Sequence, residues 1–230
     1  MLDVLVSKPE WSRKDLLELL QSAYPGLTTA TLTWRIHDLK ARGLLHSVGR
    51  GCYSALTPLP VFTPTVDGST SRLIRLAQQA APDAVLCVSD TAWLNAMHEG
   101  PALPSYRLLE ASRVHLNAVY NALQEHSRMV FLNPDTNAVV MYVHLHERAI
   151  VLRPLVSEAP LSTTNGITTS PIEKLLVDAL AHADLYMDYQ AELPKIFAYA
   201  RRHYALNESR LRRYASRRDR WHEVENLLSA

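Results

Sequence analysis

The stretch LLHSVGRGCYSAL, residues 44–56, sets Gly49 and Gly51 around Arg50 between two short apolar runs. In a chain with seven glycines, such a pair reads as the tight reversal of a β-hairpin, because glycine reaches the positive-φ backbone of a turn without strain. Arg50 then projects from the tip, where its guanidinium fork can meet an anion such as a phosphate.

A second cationic set lies near the end of the sequence. Asn207 can cap a helix over about 207–218 on which Arg210, Arg213 and Arg217 share one side, while Leu211 and Tyr214 anchor the other. Arg201, Arg202, Arg212, Arg218 and Arg220 extend the basic stretch. It reads equally as a second nucleic-acid contact or as a solvated helix paired with the acidic middle of the chain.

Constellations for catalysis are weaker. Asp90 and Glu110 with Arg113 three residues on are a partial match to the Asp…Glu-x-Lys pattern of a nuclease core, but the lysine is absent and Asp90 suits a helix cap. His144 and His146 would share one face of a strand, with no further ligand nearby in sequence. Gly68-Ser69 is followed only by a single acid, Asp83, where a nucleotidyltransferase needs paired carboxylates. The GRGCYS run lacks the third glycine of a dinucleotide loop, and there is no P-loop or Gly-x-Ser-x-Gly motif. No catalytic residue, metal site or cofactor is expected, and a nuclease stays open as the alternative function.

The elements that must position Arg50 come before it. Ser12 can cap a helix with Leu16, Leu17 and Leu20 inward, ending before Pro25-Gly26. Thr28 can cap a second helix running to about Arg42, with Gly43 as the glycine just past its end. At 100° per residue, Leu32, Ile36 and Leu39 form its inner stripe, and Thr31, Trp34, Arg35 and Asp38 face outward. Helix, turn, helix and hairpin make the winged helix-turn-helix plan, here over residues 1–57. On that plan Arg35 could read guanine, while Lys14, Thr29 and Thr31 could donate to phosphates. Trp34, Arg42 and Arg50 complete the expected DNA-binding set, and Tyr53 is expected to pack the wing onto the helices. A protein-docking module, with Trp34 at the interface, is the competing reading.

Residues 58–71, with Pro58, Pro60 and Pro64, read as an extended linker. Residues 72–230 alternate helix and strand. Strands are expected at AVLCVS, YRLLEAS, RVHLN, RMVFLN, AVVMYVHL and AIVLRPLV, with helices at LIRLAQQAA, from Asp90, and at AVYNALQEH. From Ser170 the rest reads as helical, with Pro171 in the first turn and Glu173 as its capping-box partner. The fold class is α/β (α+β): a winged helix-turn-helix, then an α/β domain with C-terminal helices.

Net charge is +1, but its distribution is uneven. Residues 1–56 carry seven Lys/Arg against five Asp/Glu, residues 57–200 nine against fourteen, and residues 201–230 eight against four. Two basic ends flank an acidic middle, so local basic surfaces persist although the total cancels. The absence of a leader-like stretch or a long apolar run, with only two cysteines, points to a cytoplasmic protein with no membrane partner.

TLTWRIHDLKARGLLHSVGRGCYSA resembles the winged-helix head of AbiEi-type antitoxins, predicted transcriptional regulators of bacterial phage-defence loci. FLNP at 131–134, PLVSEAPL at 154–161, SPIEKLLVDAL at 170–180 and NESRLRRYASRR at 207–218 resemble the later blocks of that family in order. At the wing the match runs through Gly49, Arg50, Gly51 and Tyr53. The resemblance implies the antitoxin of a type IV toxin–antitoxin system, repressing its own promoter at a repeated operator on double-stranded DNA. It also implies a nucleotidyltransferase-like toxin that is countered without a tight complex. The Arg210, Arg213 and Arg217 side would then serve DNA or the response to that toxin.

Overall fold

The computed structural model describes residues 2–56, 58–98 and 100–229. Met1 and Thr57, the two ends of the expected first domain, lie outside the described residues, as do Glu99 and Ala230. The chain divides into two units, Met1–Leu59 and Pro60–Ala230.

In the first unit, Ser12 caps α2 (Arg13–Ala23) through a reciprocal pair of bonds. Its hydroxyl accepts from the Asp15 amide at 3.1 Å, and the Asp15 carboxylate accepts from the Ser12 amide at 3.4 Å. Thr28 caps α3 (Thr29–Ala41) by accepting from the Thr31 amide, and Gly43 takes φ +69° just past the Arg42 C-cap. The expected stripe holds: Leu16 and Leu20 of α2 pack with Leu32, Ile36 and Leu39 of α3. Two elements add to this plan. The short helix α1 (Leu2–Val6) inserts Leu5 into the same core, and the Trp11 indole donates to the Leu5 carbonyl at 2.9 Å. Strand β1 (Trp11–Ser12) pairs antiparallel with β3 (Cys52–Ser54), which pairs with β2 (His46–Gly49), giving the order β1-β3-β2.

The second unit is built on a six-stranded mixed sheet in the order β6-β7-β5-β4-β9-β8. Its strands are β4 (Leu86–Asp90), β5 (Arg107–Ala111), β6 (Val130–Leu132), β7 (Ile150–Pro154), β8 (Ser162–Thr164) and β9 (Ile167–Thr169). Strands β5, β7 and β6 run parallel to one another, whereas β4 is antiparallel to β5. One face carries α4 (Gly68–Ala80) and α6 (Leu116–Gln124), whose Leu73, Ala77, Val119 and Leu123 pack with Val88, Leu109 and Leu152. The other face carries α8 (Ile172–Ala181), α9 (Leu193–His203), α10 (Glu208–Arg217) and α11 (Trp221–Ser229), with Leu108 and Val151 in their core. The alternation Leu108 to one side and Leu109 to the other is the period of two that a sheet covered on both faces imposes. Two short helices, α5 (Ala92–Asn95) and α7 (Thr136–Ala138), complete the unit. The class is mixed α and β, as expected.

Several expected elements differ. The expected linker 58–71 is shorter, because Asp67 caps α4 by accepting from the Thr70 amide at 2.7 Å and the helix begins at Gly68. Upstream of it, Phe62 lies edge-on to Trp93 and Tyr204, and the Thr65 carbonyl accepts from the Trp93 indole. RVHLN is not a strand but a 3-10 turn, Arg113–His115, leading into α6. AVVMYVHL is likewise helical: α7 continues as a π-helix over Val139–Val143, and the two residues it buries, Val139 and Val143, are spaced by four. At α8, Pro171 is itself the N-cap, and Glu173 is buried instead of closing a capping box.

Candidate nucleic-acid interface

The β2–β3 register pairs Gly49 with Cys52, which leaves Arg50 and Gly51 as a two-residue loop. Only Gly51 has positive φ, at +73°, so the expectation that both glycines supply left-handed backbone is corrected. A Cβ at Gly49 would meet the Cys52 Cβ at an ordinary 3.6 Å. The Gly51 carbonyl accepts from the Arg13 amide at 2.9 Å, which joins the hairpin tip to the first turn of α2. Exposed Arg13 and Lys14 therefore leave the backbone beside the loop that carries exposed Arg50. The acid nearest the Lys14 ammonium, Glu18, is 3.8 Å away and largely in solvent, a pair of little strength.

On α3, Thr29, Thr31 and Trp34 are exposed, and Trp34 retains 64% of its surface. The Thr31 hydroxyl shares a hydrogen bond with that of Thr28 at 3.0 Å, so it is held near the helix start. Arg35 departs from the outward placement. Its guanidinium lies over the Tyr24 ring, 4.4 Å from the centroid, with Nε buried and unpartnered. Arg42 is exposed and pairs with Asp38 across one turn at 3.5 Å. Tyr53 packs on the core of this unit, with Lys40 over its ring at 5.7 Å.

In the second unit, Arg210 reaches the buried Glu173 at 3.6 Å, and that glutamate also accepts from the Asn207 amide at 2.8 Å. Arg217 pairs with Glu158 at 3.2 Å and donates to the Ser157 hydroxyl. Arg213 is exposed, with no ion pair among the described residues. Of the three arginines expected to share one side of this helix, two are thus paired and one is not, while Arg212 lies over the Trp221 ring at 5.2 Å.

The residues considered for catalysis are not brought together. Asp90 pairs in register with Arg107 and Glu110 with Cys87, so the two carboxylates point to opposite faces of the sheet. Asp90 accepts from the Ala92 amide at 2.8 Å and sits 3.7 Å from Arg107. Glu110 turns to the α8 face, where the fully buried Lys174 ammonium donates to it at 2.5 Å and also to Asp178. The Tyr214 hydroxyl donates to Asp178 at 2.7 Å. Burial opposes charge on all three groups. The two carboxylates nevertheless hold Lys174 well above its usual value, and Lys174 keeps Asp178 below its own, while burial leaves Glu110 raised. Burial also pushes the Cys87 thiol up to about 12. His144 ends the π-helix beside Asp188 at 3.0 Å, and His146 is exposed, so they do not share a strand face. Among the described residues no three His, Cys, Asp or Glu side chains gather as a metal site, and no helix is long and apolar enough to cross a membrane.

The fold and surface describe a small helical unit with a three-stranded sheet joined to an α/β unit covered on both faces. Residues 31–230 match the family described as "Family of unknown function (DUF6577)", and the chain belongs to that family. No curated protein matches the sequence.

Proposed function

We propose that this chain is a double-stranded-DNA-binding regulator: a winged helix in front, acting as the antitoxin of a type IV toxin–antitoxin system and repressing its own operon. One observation carries the reading. The exposed Arg50 loop is bonded through Gly51 to the first turn of α2, beside Arg13 and Lys14, and the element order is helix, strand, helix, helix, strand, loop, strand. In this reading α3 enters the major groove, with Thr29, Thr31, Lys14 and Arg42 on phosphates and Arg50 on the backbone or the minor groove. Arg35, already stacked on Tyr24, loses less freedom when it donates to a base edge than a solvated arginine would. The operon and the toxin rest on the resemblance to AbiEi-type antitoxins, and the cytoplasmic location on the cysteine usage.

The test is fluorescence anisotropy of the full chain on DNA from upstream of its own gene, against a scrambled duplex of equal length. Binding at about 10⁻⁸ M or tighter, with at least a 10³-fold preference for the upstream DNA, is expected. Equal affinity for both duplexes overturns sequence-specific regulation. The exposure of Trp34 favours a second reading, a protein-docking unit. Trp34→Ala that leaves DNA binding intact but abolishes capture of a defined partner would support it.

A further inference from the structure

Parallel strands β5, β7 and β6 end beside a cavity of about 590 Å³. Arg113 follows β5, Asn133 follows β6 and Arg153 lies in β7, while His182 at the end of α8 and Arg218 at the end of α10 close the wall. In open α/β sheets the crevice beyond the carboxyl ends of the strands is the habitual ligand position.

The donors in this wall exceed its acceptors. The Arg153 guanidinium lies 2.8 Å from Nδ1 of His182, and the Arg218 guanidinium 2.9 Å from Nε2 of the same ring. Guanidinium only donates, and a neutral imidazole has a single lone pair, so one of these contacts sets donor against donor. Burial, reinforced by the two cations, holds the His182 pKa down to about 4, although Asp178 and Asp184 pull the other way. Protonation would in any case leave no lone pair at all. Arg218 Nε is buried and makes no hydrogen bond, with Asp178 4.0 Å away. Asp178 itself is already engaged by Lys174 and Tyr214. The Arg113 guanidinium makes no hydrogen bond or ion pair among the described residues, and Asn133 holds a left-handed backbone at φ +45°.

We propose that this cavity binds a small phosphate-bearing molecule, a phosphomonoester whose phosphate is gripped by Arg113, Arg153 and Arg218. A tetrahedral dianion accepts from several guanidinium forks at once and relieves the donor conflict at His182, which a single carboxylate does less completely. A water occupies about 30 Å³ of liquid, so 590 Å³ far exceeds a bare phosphate. The remainder, walled by Pro154, Leu155 and Val156, takes the organic part and falls in the size range of small-molecule sites. The inference is independent of the DNA-binding reading.

Isothermal titration calorimetry of the full chain in chloride buffer at fixed ionic strength tests it, with inorganic phosphate, adenosine monophosphate and a short duplex as probes. Phosphate and the nucleotide are expected to bind in competition, the nucleotide more tightly. Arg153→Gln and Arg113→Gln should each weaken both at least tenfold with an unchanged circular dichroism spectrum. Arg113 is exposed, so its replacement tests the site without touching the core. Absence of binding by either phosphate probe overturns the proposal, as does binding that both variants retain. Duplex binding that Arg153→Gln abolishes, with no response to the nucleotide, assigns the pocket to a nucleic-acid backbone and also overturns it.

Discussion

The two units handle charge in opposite ways. In the first, the ion pairs Lys8–Asp15, Lys14–Glu18 and Arg42–Asp38 all sit in solvent, and the core is seven aliphatic side chains. In the second, a lysine with no exposed surface is clamped between two carboxylates, and two arginines meet over a half-buried histidine. Apart from Asp15, whose carboxylate also closes the α2 cap, surface charges in the first unit can be exchanged with little effect on its fold, so they are available for recognition. Those buried in the second cannot, because each one left alone carries its full desolvation cost. Replacement of individual charges should therefore separate the units cleanly.

The largest effect is expected at Lys174. Lys174→Met leaves Glu110 and Asp178 buried without a cation and should destabilise the second unit by about 3–5 kcal/mol, seen as a large fall in its thermal midpoint. Replacing Glu110 and Asp178 by leucine in the same variant should recover much of that loss. A Lys174→Met protein that melts with the parent would show that the cluster is hydrated and contradict its burial.

Acid should reveal the second contrast. His182 has a pKa of about 4 in the folded chain against its ordinary 6.5. Between those values the unfolded chain binds more protons, so stability rises with pH. The contribution is complete above about 6.5 and is lost as pH falls through the window towards 4. Arg153 and Arg218 touch the ring, and Asp178 and Asp184 act on it through their charge. The full displacement corresponds to about 3 kcal/mol. His182→Gln should flatten the pH 4–6.5 slope of denaturant-derived stability by roughly that amount, in buffers free of phosphate. An unchanged slope would show that His182 takes up its proton in the folded chain as readily as in the unfolded one, and the donor excess at the cavity would then be greater, since an imidazolium has no lone pair.

Much of the first unit was legible because its signals are local. Ser12, Thr28 and Gly43 mark helix ends by short-range hydrogen bonds and backbone handedness, and the stripe Leu32, Ile36, Leu39 has the helical period. The missed pieces lack such signals: α1 spans five residues and β1 two. In the second unit AVVMYVHL misleads because a β-branched apolar run of that length fits either state, and only burial spaced by four reveals the helix. The Asn165-Gly166 turn between β8 and β9, with φ of +52° and +77°, is a hairpin signal carried by the dipeptide itself. The Lys174 cluster was not readable. Asp178 is one helical turn from Lys174, but Glu110 lies 64 residues away, and α8 is buried on nearly every side, which erases the amphipathic pattern that would single out a lysine.

At the first unit the expected change is in binding, not folding. Arg50→Ala should weaken affinity for upstream DNA by about 1–3 kcal/mol while shifting stability by less than about 0.5 kcal/mol. Parallel anisotropy titrations and thermal melts measure both. Undiminished affinity would remove the hairpin loop from the interface. A large stability loss would instead make Arg50 a structural residue.

The smallest and sharpest contrast lies within α10. Arg210 and Arg217 already face Glu173 and Glu158, whereas Arg213 has no ion-pair partner among the described residues. Phosphate contact requires a guanidinium free to displace counterion, and each one lost from such an interface reduces the slope of log affinity against log salt by about one. If α10 touches DNA, Arg213→Gln should lower that slope by about one, and Arg217→Gln by less, since Glu158 already neutralises it. If the helix is a solvated face, all three single variants leave the slope unchanged. If it serves a toxin, growth rescue by Arg213→Gln falls while the slope stays. Arg210 is the internal control. Its partner Glu173 also holds the Asn207 amide, so Arg210→Gln should lower stability by up to about 1 kcal/mol whichever surface α10 presents.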